Sequence, residues 1–380
     1  MKKQLNSVFT ITHKDRRTKA RIGVLHTKKG SVETPFFMPV STKGAAKFIN
    51  SKKIEELGAV ATISNAFILS LRPGTKLINK LGGLGKFMNF SGVNFTDSGG
   101  FQMYSKSIYL SSNEKGVNFR NPISGEKIFM TPEKDMEIQL EIGSDVAMCL
   151  DRMPLYEDSK KEIENSVELT TIWAKRCKKH HDMLQSRIPH GRRQLLFGIT
   201  QGGIHSDLRK QSIKQLLDLD FDGYSIGGFG MGETFKEEMK IVKAQKLLFP
   251  ENKPIYLMGI GTPSEILEAI SYGVDIFDSR LPTMNARHGE LFTSIGKMKI
   301  LNKKYENDKS PIDKNCNCFV CKNYSKAYVR FLLKEEESVG KELASYHNLY
   351  YLQNLIKEAK EHIKKGKFIE FKNKIKRVYK

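Results

Sequence analysis

No apolar run in this chain approaches the ~18–20 residues that a membrane-crossing helix requires, so no such helix is expected. The opening, Met1-Lys2-Lys3-Gln4-Leu5-Asn6-Ser7, is charged but has no continuous apolar stretch behind it. A secretory signal is therefore not expected, and the cytoplasm is the expected location. Cysteine is scarce. Five in 380 residues cannot build a disulfide framework, and Cys149 and Cys177, each isolated, read as buried thiols. Short-period repeats and low-complexity linkers are also missing, which leaves an ordinary folded chain whose 39% hydrophobic content suffices for a core.

What the chain has in excess is positive charge, +21 formally. The excess is uneven: residues 291–380 hold 21 Lys and Arg against 10 Asp and Glu. A basic region of this kind attracts polyanions by releasing their counterions, and nucleic acid is the first partner to consider. A lysine-rich solvated surface is the ordinary alternative.

Between residues 59 and 278 one pattern recurs, a short apolar run, a polar or glycine cluster, then an amphipathic segment. The runs are 59–63, 93–96, 145–150, 196–200, 224–226, 255–258 and 274–277. Such runs suit strands buried on both faces, and their alternation with helices implies a parallel α/β fold. Helix signals lie between them, as at Thr131-Pro132-Glu133, across 160–184, and in the capping box Thr262-Pro263-Ser264-Glu265 closed by Gly273. The strand ends carry Asn65, Asp97-Ser98-Gly99-Gly100, Asp151, Gln201-Gly202-Gly203, Gly227-Gly228, Gly259 and Asp278. An α/β barrel draws its catalytic residues from the C-terminal ends of several strands, whereas a doubly wound sheet gathers ligands at one switch point. The pattern therefore favours a barrel, although any one of these residues alone is an ordinary turn residue.

Cys316, Cys318 and Cys321 place three thiols within six residues, which points to metal. His347 completes a C-x-C-x2-C-x25-H set, lying after a helix expected over 322–343 and opening the next. Four filled positions leave no site for a catalytic water, so one structural zinc is expected, tying the basic helical segment to the barrel.

Asp97-Ser98-Gly99-Gly100-Phe101-Gln102 sets an acid on a glycine turn beside an aromatic that suits stacking on a flat base. Together with Leu196-Phe197-Gly198-Ile199-Thr200-Gln201-Gly202-Gly203, Ile226-Gly227-Gly228, Tyr256-Leu257-Met258-Gly259, Phe277-Asp278, Asn285-Ala286-Arg287 and the Cys-His cluster, it resembles the bacterial-type tRNA-guanine transglycosylases over nearly the whole chain. The resemblance implies a (β/α)8 TIM barrel (residues 1–290) with an inserted or C-terminal helical zinc-binding subdomain (291–380) that completes and packs on it. It implies exchange of guanine at the wobble position of GUN-anticodon tRNAs for a 7-deazaguanine, either 7-aminomethyl-7-deazaguanine or queuine, in queuosine modification. By position, Asp278 matches the nucleophile that holds a covalent glycosyl-enzyme and Asp97 the general acid/base. Asp151 and Gln201 match residues reading the purine edge, and the Gly228 amide a donor to the base carbonyl. Phe101 and Met258 match the walls of the base pocket, Glu233 a residue adjusting a nearby peptide, and Arg287 an RNA contact. The target base must leave its stack to enter such a pocket. Neither ATP nor a redox cofactor is implied, and a homodimer is expected.

The chain departs from the family pattern in three places. Asn65-Ala66-Phe67-Ile68-Leu69 stands for Asn-Thr-Tyr-His-Leu, Arg152-Met153 for an acid and often cysteine, and Met284 for an arginine. The first two, with Met231, leave the incoming base open; the third leaves open how the anticodon loop is gripped. Rival readings are a DNA-modifying relative, a non-catalytic RNA-binding subunit and a generic zinc-containing nucleic-acid binder.

Overall fold

The computed structural model describes residues 7–100, 105, 107–230 and 232–379; Phe101, Gln102 and Met231 lie outside the described residues. Eight parallel strands form one sheet in sequential order. They are β1 (Phe36–Pro39), β2 (Ala61–Asn65), β3 (Val93–Asp97), β4 (Val146–Met148), β5 (Leu195–Thr200), β6 (Gly223–Ile226), β7 (Ile255–Leu257) and β8 (Ile276–Ser279). β8 pairs with β1, and a parallel bridge between Val40 and Ile63 joins β1 to β2, so the sheet closes into a barrel. The Ser41 N–H donates to the Ile63 carbonyl at 2.7 Å at this seam. Seven strands overlap the apolar runs of the sequence. The eighth, β1, lies ahead of them, preceded by Pro35 and ending at Pro39, with no helix before it to complete the repeat.

Side-chain alternation divides the core into two layers. Phe95, Phe197 and Tyr256 turn inward with Phe36, Met148 and Ile199 and meet edge to face, at ring separations of 6.0–6.3 Å. Leu196, Tyr224, Ile226, Leu257 and Phe277 join the outer layer under the helices. Both faces of each strand are buried, which is why the sequence shows short continuous apolar runs.

An antiparallel sheet of Phe9–Lys14, Arg21–Thr27 and Gly30–Thr34 precedes the barrel and lends Phe9 and Leu25 to its inner core. Arg21 anchors it. Its guanidinium grips Asp275, just before β8, in a buried two-pronged pair at 2.9 and 2.5 Å. It also donates to the carbonyls of Glu251 and Lys253. A second small sheet (Tyr109–Asn113, Gly116–Arg120, Lys127–Met130) is inserted between β3 and β4, where Phe119 packs on Phe67 at 4.6 Å.

The outer helices begin as the sequence indicates. Helix Pro132–Ile142 is capped by Thr131, and helices Lys160–Leu184 and Pro263–Ser271 open with complete capping boxes. The C-terminal region differs from expectation. The helix expected over 322–343 breaks, giving Phe319–Asn323, Lys326–Lys334 and then an uninterrupted helix Ser338–Lys364. Glu335, Glu336 and Glu337 oppose the negative end of the preceding helix, and Glu336 adopts φ +56°, which stops it. His347 thus lies within a helix rather than opening one, because Tyr346, His347 and Asn348 are buried and packing holds the helix through them. The long helix packs against β1, where the Gln353 side chain donates to the Phe37 carbonyl at 3.0 Å. Residues 291–380 therefore supply part of the barrel's own wall. Among the described residues no helix is long and apolar enough to cross a membrane.

Removing one partner of the Arg21–Asp275 pair strands a buried charge. Arg21→Met is expected to lower unfolding free energy by roughly 3–5 kcal/mol in urea denaturation; a loss under about 1 kcal/mol would show that the pair is not holding the barrel's base.

Candidate active site and metal site

Barrel closure brings the strand ends to one mouth. Asn65 and Asp97 are register partners at the ends of β2 and β3. Asn65 caps helix Ala66–Leu71: its side-chain oxygen accepts from the Ile68 N–H at 2.8 Å. That fixes the amide so that Nδ2 donates to Asp97 Oδ2 at 3.2 Å. Across the mouth Asp278, within β8, accepts at Oδ1 from the Tyr256 hydroxyl (2.6 Å) and the Gly259 N–H (3.0 Å). Gly259 has φ +83°, a conformation open to glycine, and this turn aims its N–H back at the carboxylate. Asp151 follows β4 and Gln201 follows β5; both are buried, and Gln201 Nε2 donates to Asp151 Oδ2 at 2.5 Å. Among the described residues the side-chain oxygen of Gln201 has no partner, leaving an acceptor beside an acidic one.

The carboxylates differ in their hold on a proton. Burial pushes Asp97 up to about 7, and the charges of Asp151 and Asp278 add to the shift, against the Gly99 N–H and Asn65. Burial lifts Asp151 to about 6 against the Gln201 donor. Burial also raises Asp278, but its two donors favour the ionised form. Near neutral pH Asp97 can therefore retain its proton.

Gly228, Met258 and Glu233 also belong to this mouth. Gly228 follows β6 with φ +76°, and a Cβ there would lie 2.4 Å from Gln201 Oε1, so the backbone must approach without a side chain. Met258 is half-buried after β7. Glu233 and buried Glu238 both accept from the Gly230 N–H, Glu238 at 2.9 Å. Burial and the neighbouring Glu233 push Glu238 up to about 8. Beside Gly228 and Glu233 the cleft continues into a cavity of about 220 Å³ lined also by Tyr156 and His205. Arg287 is half-buried on helix Leu281–Arg287, its guanidinium 5.9 Å from the Phe48 ring centre.

Of the departing residues, Phe67 is buried against Phe119, and Met153 is buried after β4. The Arg152 guanidinium lies over Tyr109 of the inserted sheet at 5.0 Å and donates to the Met153 carbonyl. Met284 is half-buried one turn before Arg287. Sequence reasoning gave no role to Tyr256, Glu238 or buried Arg209. Tyr256 is signalled only by an inward register position, and the other two by long-range contacts.

The three cysteines and His347 bring their donor atoms within 4.8 Å of one another. His347 Nδ1 lies 3.9, 3.5 and 3.4 Å from the sulfurs of Cys316, Cys318 and Cys321. A tetrahedral ion with metal–sulfur bonds of ~2.3 Å and a metal–nitrogen bond of ~2.0 Å separates nitrogen from sulfur by about 3.5 Å, so the set can hold a metal ion. His347 Nε2 lies 2.7 Å from the Phe292 carbonyl; donating there leaves Nδ1 for the metal. Next to it, Asn348 accepts from the Phe292 N–H and donates to the carbonyls of Pro282 and Glu290. His347 and Asn348 thereby tie the segment following Asp278 to the barrel's long helix.

Comparison with known proteins comes from two directions. The sequence profile of the family described as Queuine tRNA-ribosyltransferase matches residues 15–380. A protein named queuine tRNA-ribosyltransferase from Halothermothrix orenii is 43% identical over 371 residues, 98% of this chain and 97% of the relative. Its counterpart from Clostridium kluyveri is 47% identical over 356 residues, 93% of this chain and 94% of the relative. That from Listeria innocua is 43% identical over 364 residues, covering 96% and 94%.

Two outcomes follow. Because Asp97 holds its proton to about pH 7 in the fold against 3.8 ordinarily, folding is progressively opposed as pH rises between these values, and the full cost remains above them. Asp97→Asn is therefore expected to stabilise the protein at pH 8, on the order of 2 kcal/mol, with the gain vanishing at acid pH. Thermal denaturation across pH measures this, and a gain equal at all pH values would contradict it. Elemental analysis is expected to find one metal ion per chain; Cys318→Ser is expected to lose it and to melt at lower temperature.

Proposed function

The chain belongs to the queuine tRNA-ribosyltransferase family, and from that premise we propose that it exchanges guanine at the wobble position of GUN-anticodon tRNAs for a 7-deazaguanine, in queuosine modification. The observation that carries the chemistry is that Asp278, held at Oδ1 by two donors, lies in one mouth with Asp97, which burial and the charges of Asp151 and Asp278 push up to about 7.

Both donors to Asp278 meet Oδ1, which leaves Oδ2 to attack C1′ of the target ribose. As the C1′–O bond forms, the C1′–N9 bond breaks and its electron pair leaves with guanine. Asp97 gives that guanine its proton. The incoming base then returns a proton to Asp97, and its ring nitrogen attacks C1′ and releases Asp278 as a carboxylate. Two inversions give net retention, and no net proton is consumed. Asp151 and the free oxygen of Gln201 are acceptors, matched to the N–H groups of guanine's pairing edge, while the Gly228 N–H suits its carbonyl. Met258 and Phe101 serve as the flat walls.

The Gly230 N–H is turned to Glu233 and Glu238, so the carbonyl of the same trans peptide, that of Phe229, points the opposite way. We assign it as the acceptor for the amine on the incoming base's 7-substituent, and the cavity beside Gly228 as that substituent's room. This fits 7-aminomethyl-7-deazaguanine and queuine alike. Arg287 and the basic C-terminal region contact the anticodon stem-loop, with Met284 removing one further cationic contact. The metal is assigned as a structural zinc, since three thiolates and one imidazole fill a tetrahedral shell. Exposed Phe319, next to Cys318, and exposed Tyr328, Phe331 and Val339 of the same C-terminal region suit burial against a second copy of the chain in a homodimer.

Labelled guanine is expected to enter GUN-anticodon tRNA, and Asp278→Ala to reduce incorporation by roughly 10³-fold or more. In single turnover, release of guanine is expected to slow as pH rises through about 7, where Asp97 loses its proton. Incorporation that persists in Asp278→Ala would overturn the assignment.

A further inference from the structure

Arg209 lies on helix Ser206–Leu217 beneath the base-reading edge and is 1% exposed. A guanidinium this deeply buried ordinarily pairs with a carboxylate; among the described residues Arg209 makes no salt bridge, and the charge of Glu233 acts on it only at longer range. Its donors go instead to backbone carbonyls. Nε donates to Gly203 at 2.7 Å, and Nη1 to Gly227 at 2.8 Å and Thr200 at 3.3 Å. The guanidinium plane also lies over the Phe229 ring at 4.3 Å.

These carbonyls have one feature in common. Thr200 and Gly203 flank Gln201 at the exit of β5, and Gly227 precedes Gly228 at the exit of β6. Backbone N–H groups alone would not join them, because the ladder between β5 and β6 ends at Thr200 and Ile226. The Gly227 N–H adds one last bond to the Thr200 carbonyl, at 3.1 Å. Beyond it the two loops are held together through Arg209. Gly228 is caught between Gln201 and Arg209: a Cβ there would sit 2.4 Å from Gln201 Oε1 and 3.7 Å from Arg209 Nη2. Among the described residues the Nη2 group itself has no partner. A buried cation with an unused N–H is costly to keep.

We propose that Arg209 is a positioning residue for the base site, clamping the exits of β5 and β6 so that Gln201 and the Gly228 amide read one purine edge together. The clamp needs the planar fork of arginine. A lysine keeps the charge but offers one point of donation, and cannot reach carbonyls on two loops from one plane. The inference rests on the proposed base-exchange function, and its test separates the two.

The experiment compares native protein, Arg209→Lys and Arg209→Met in guanine exchange, with tRNA binding measured separately. Inhibition by guanine and by hypoxanthine, which lacks the 2-amino group, is compared in each. Exchange by the native chain establishes the function independently of either variant. Both variants are expected to bind tRNA within about twofold of native, while KM for guanine rises roughly tenfold or more, the scale of a lost charged hydrogen bond. The preference for guanine over hypoxanthine is expected to shrink, since Gln201 and Gly228 no longer share a register. An unchanged KM in Arg209→Lys, an unchanged preference, or a parallel fall in base and tRNA binding would overturn the proposal. Failure of both variants to fold would also overturn it, assigning Arg209 to folding alone.

Discussion

Three carboxylates, Asp97, Asp151 and Asp278, meet at the mouth of a barrel, and burial there raises the hold of each on a proton. Charges confined in this way resist ionising together. The resistance falls chiefly on Asp97, because the charges of Asp151 and Asp278 add to its burial and outweigh its own donors, Asn65 and the Gly99 N–H. The arrangement is unfavourable for folding. It persists because each carboxylate stands at the end of a different strand and the closed sheet fixes all three, from the Arg21–Asp275 pair at one end to the Val40–Ile63 seam.

Support from the C-terminal region is continuous with that barrel. Helix Ser338–Lys364 runs along β1, and its adjacent residues His347 and Asn348 hold the metal group and the chain that leaves Asp278. The Cys3His group, which can hold a metal ion, thus lies where the chain leaving Asp278 meets the basic C-terminal region. The inward-facing Arg209 performs a comparable task at the exits of β5 and β6 without a metal.

Much of this was legible in the sequence because strands buried on both faces leave uninterrupted apolar runs, and because their ends carried Asn65, Asp97, Asp151, Gln201 and Asp278 in step. The Cys-x-Cys-x2-Cys spacing and His347 were equally plain. Other features had no local signal. β1 is four residues that follow one proline and end on another, with nothing helical before it. The break at Glu335–Glu337 and the unbroken helix through His347 depend on what packs against them, and tertiary burial outweighs local pattern there. Tyr256 reads as one more core aromatic until β8 is placed beside it. Arg209 reads as a surface charge on an amphipathic helix until the loops it holds are folded over it. Phe101 and Met231 lie outside the described residues, so their parts in the pocket stay with the proposal.

The central claim is a covalent bond between Asp278 and the target ribose. The most direct measurement is to mix protein with GUN-anticodon tRNA without incoming base, quench in denaturant, and digest the complex for peptide mass spectrometry. The account predicts a denaturation-resistant protein–tRNA species whose modified peptide carries the sugar on Asp278, and which added guanine discharges. A tRNA that exchanges its base with no such species, or with the sugar on another residue, would contradict it.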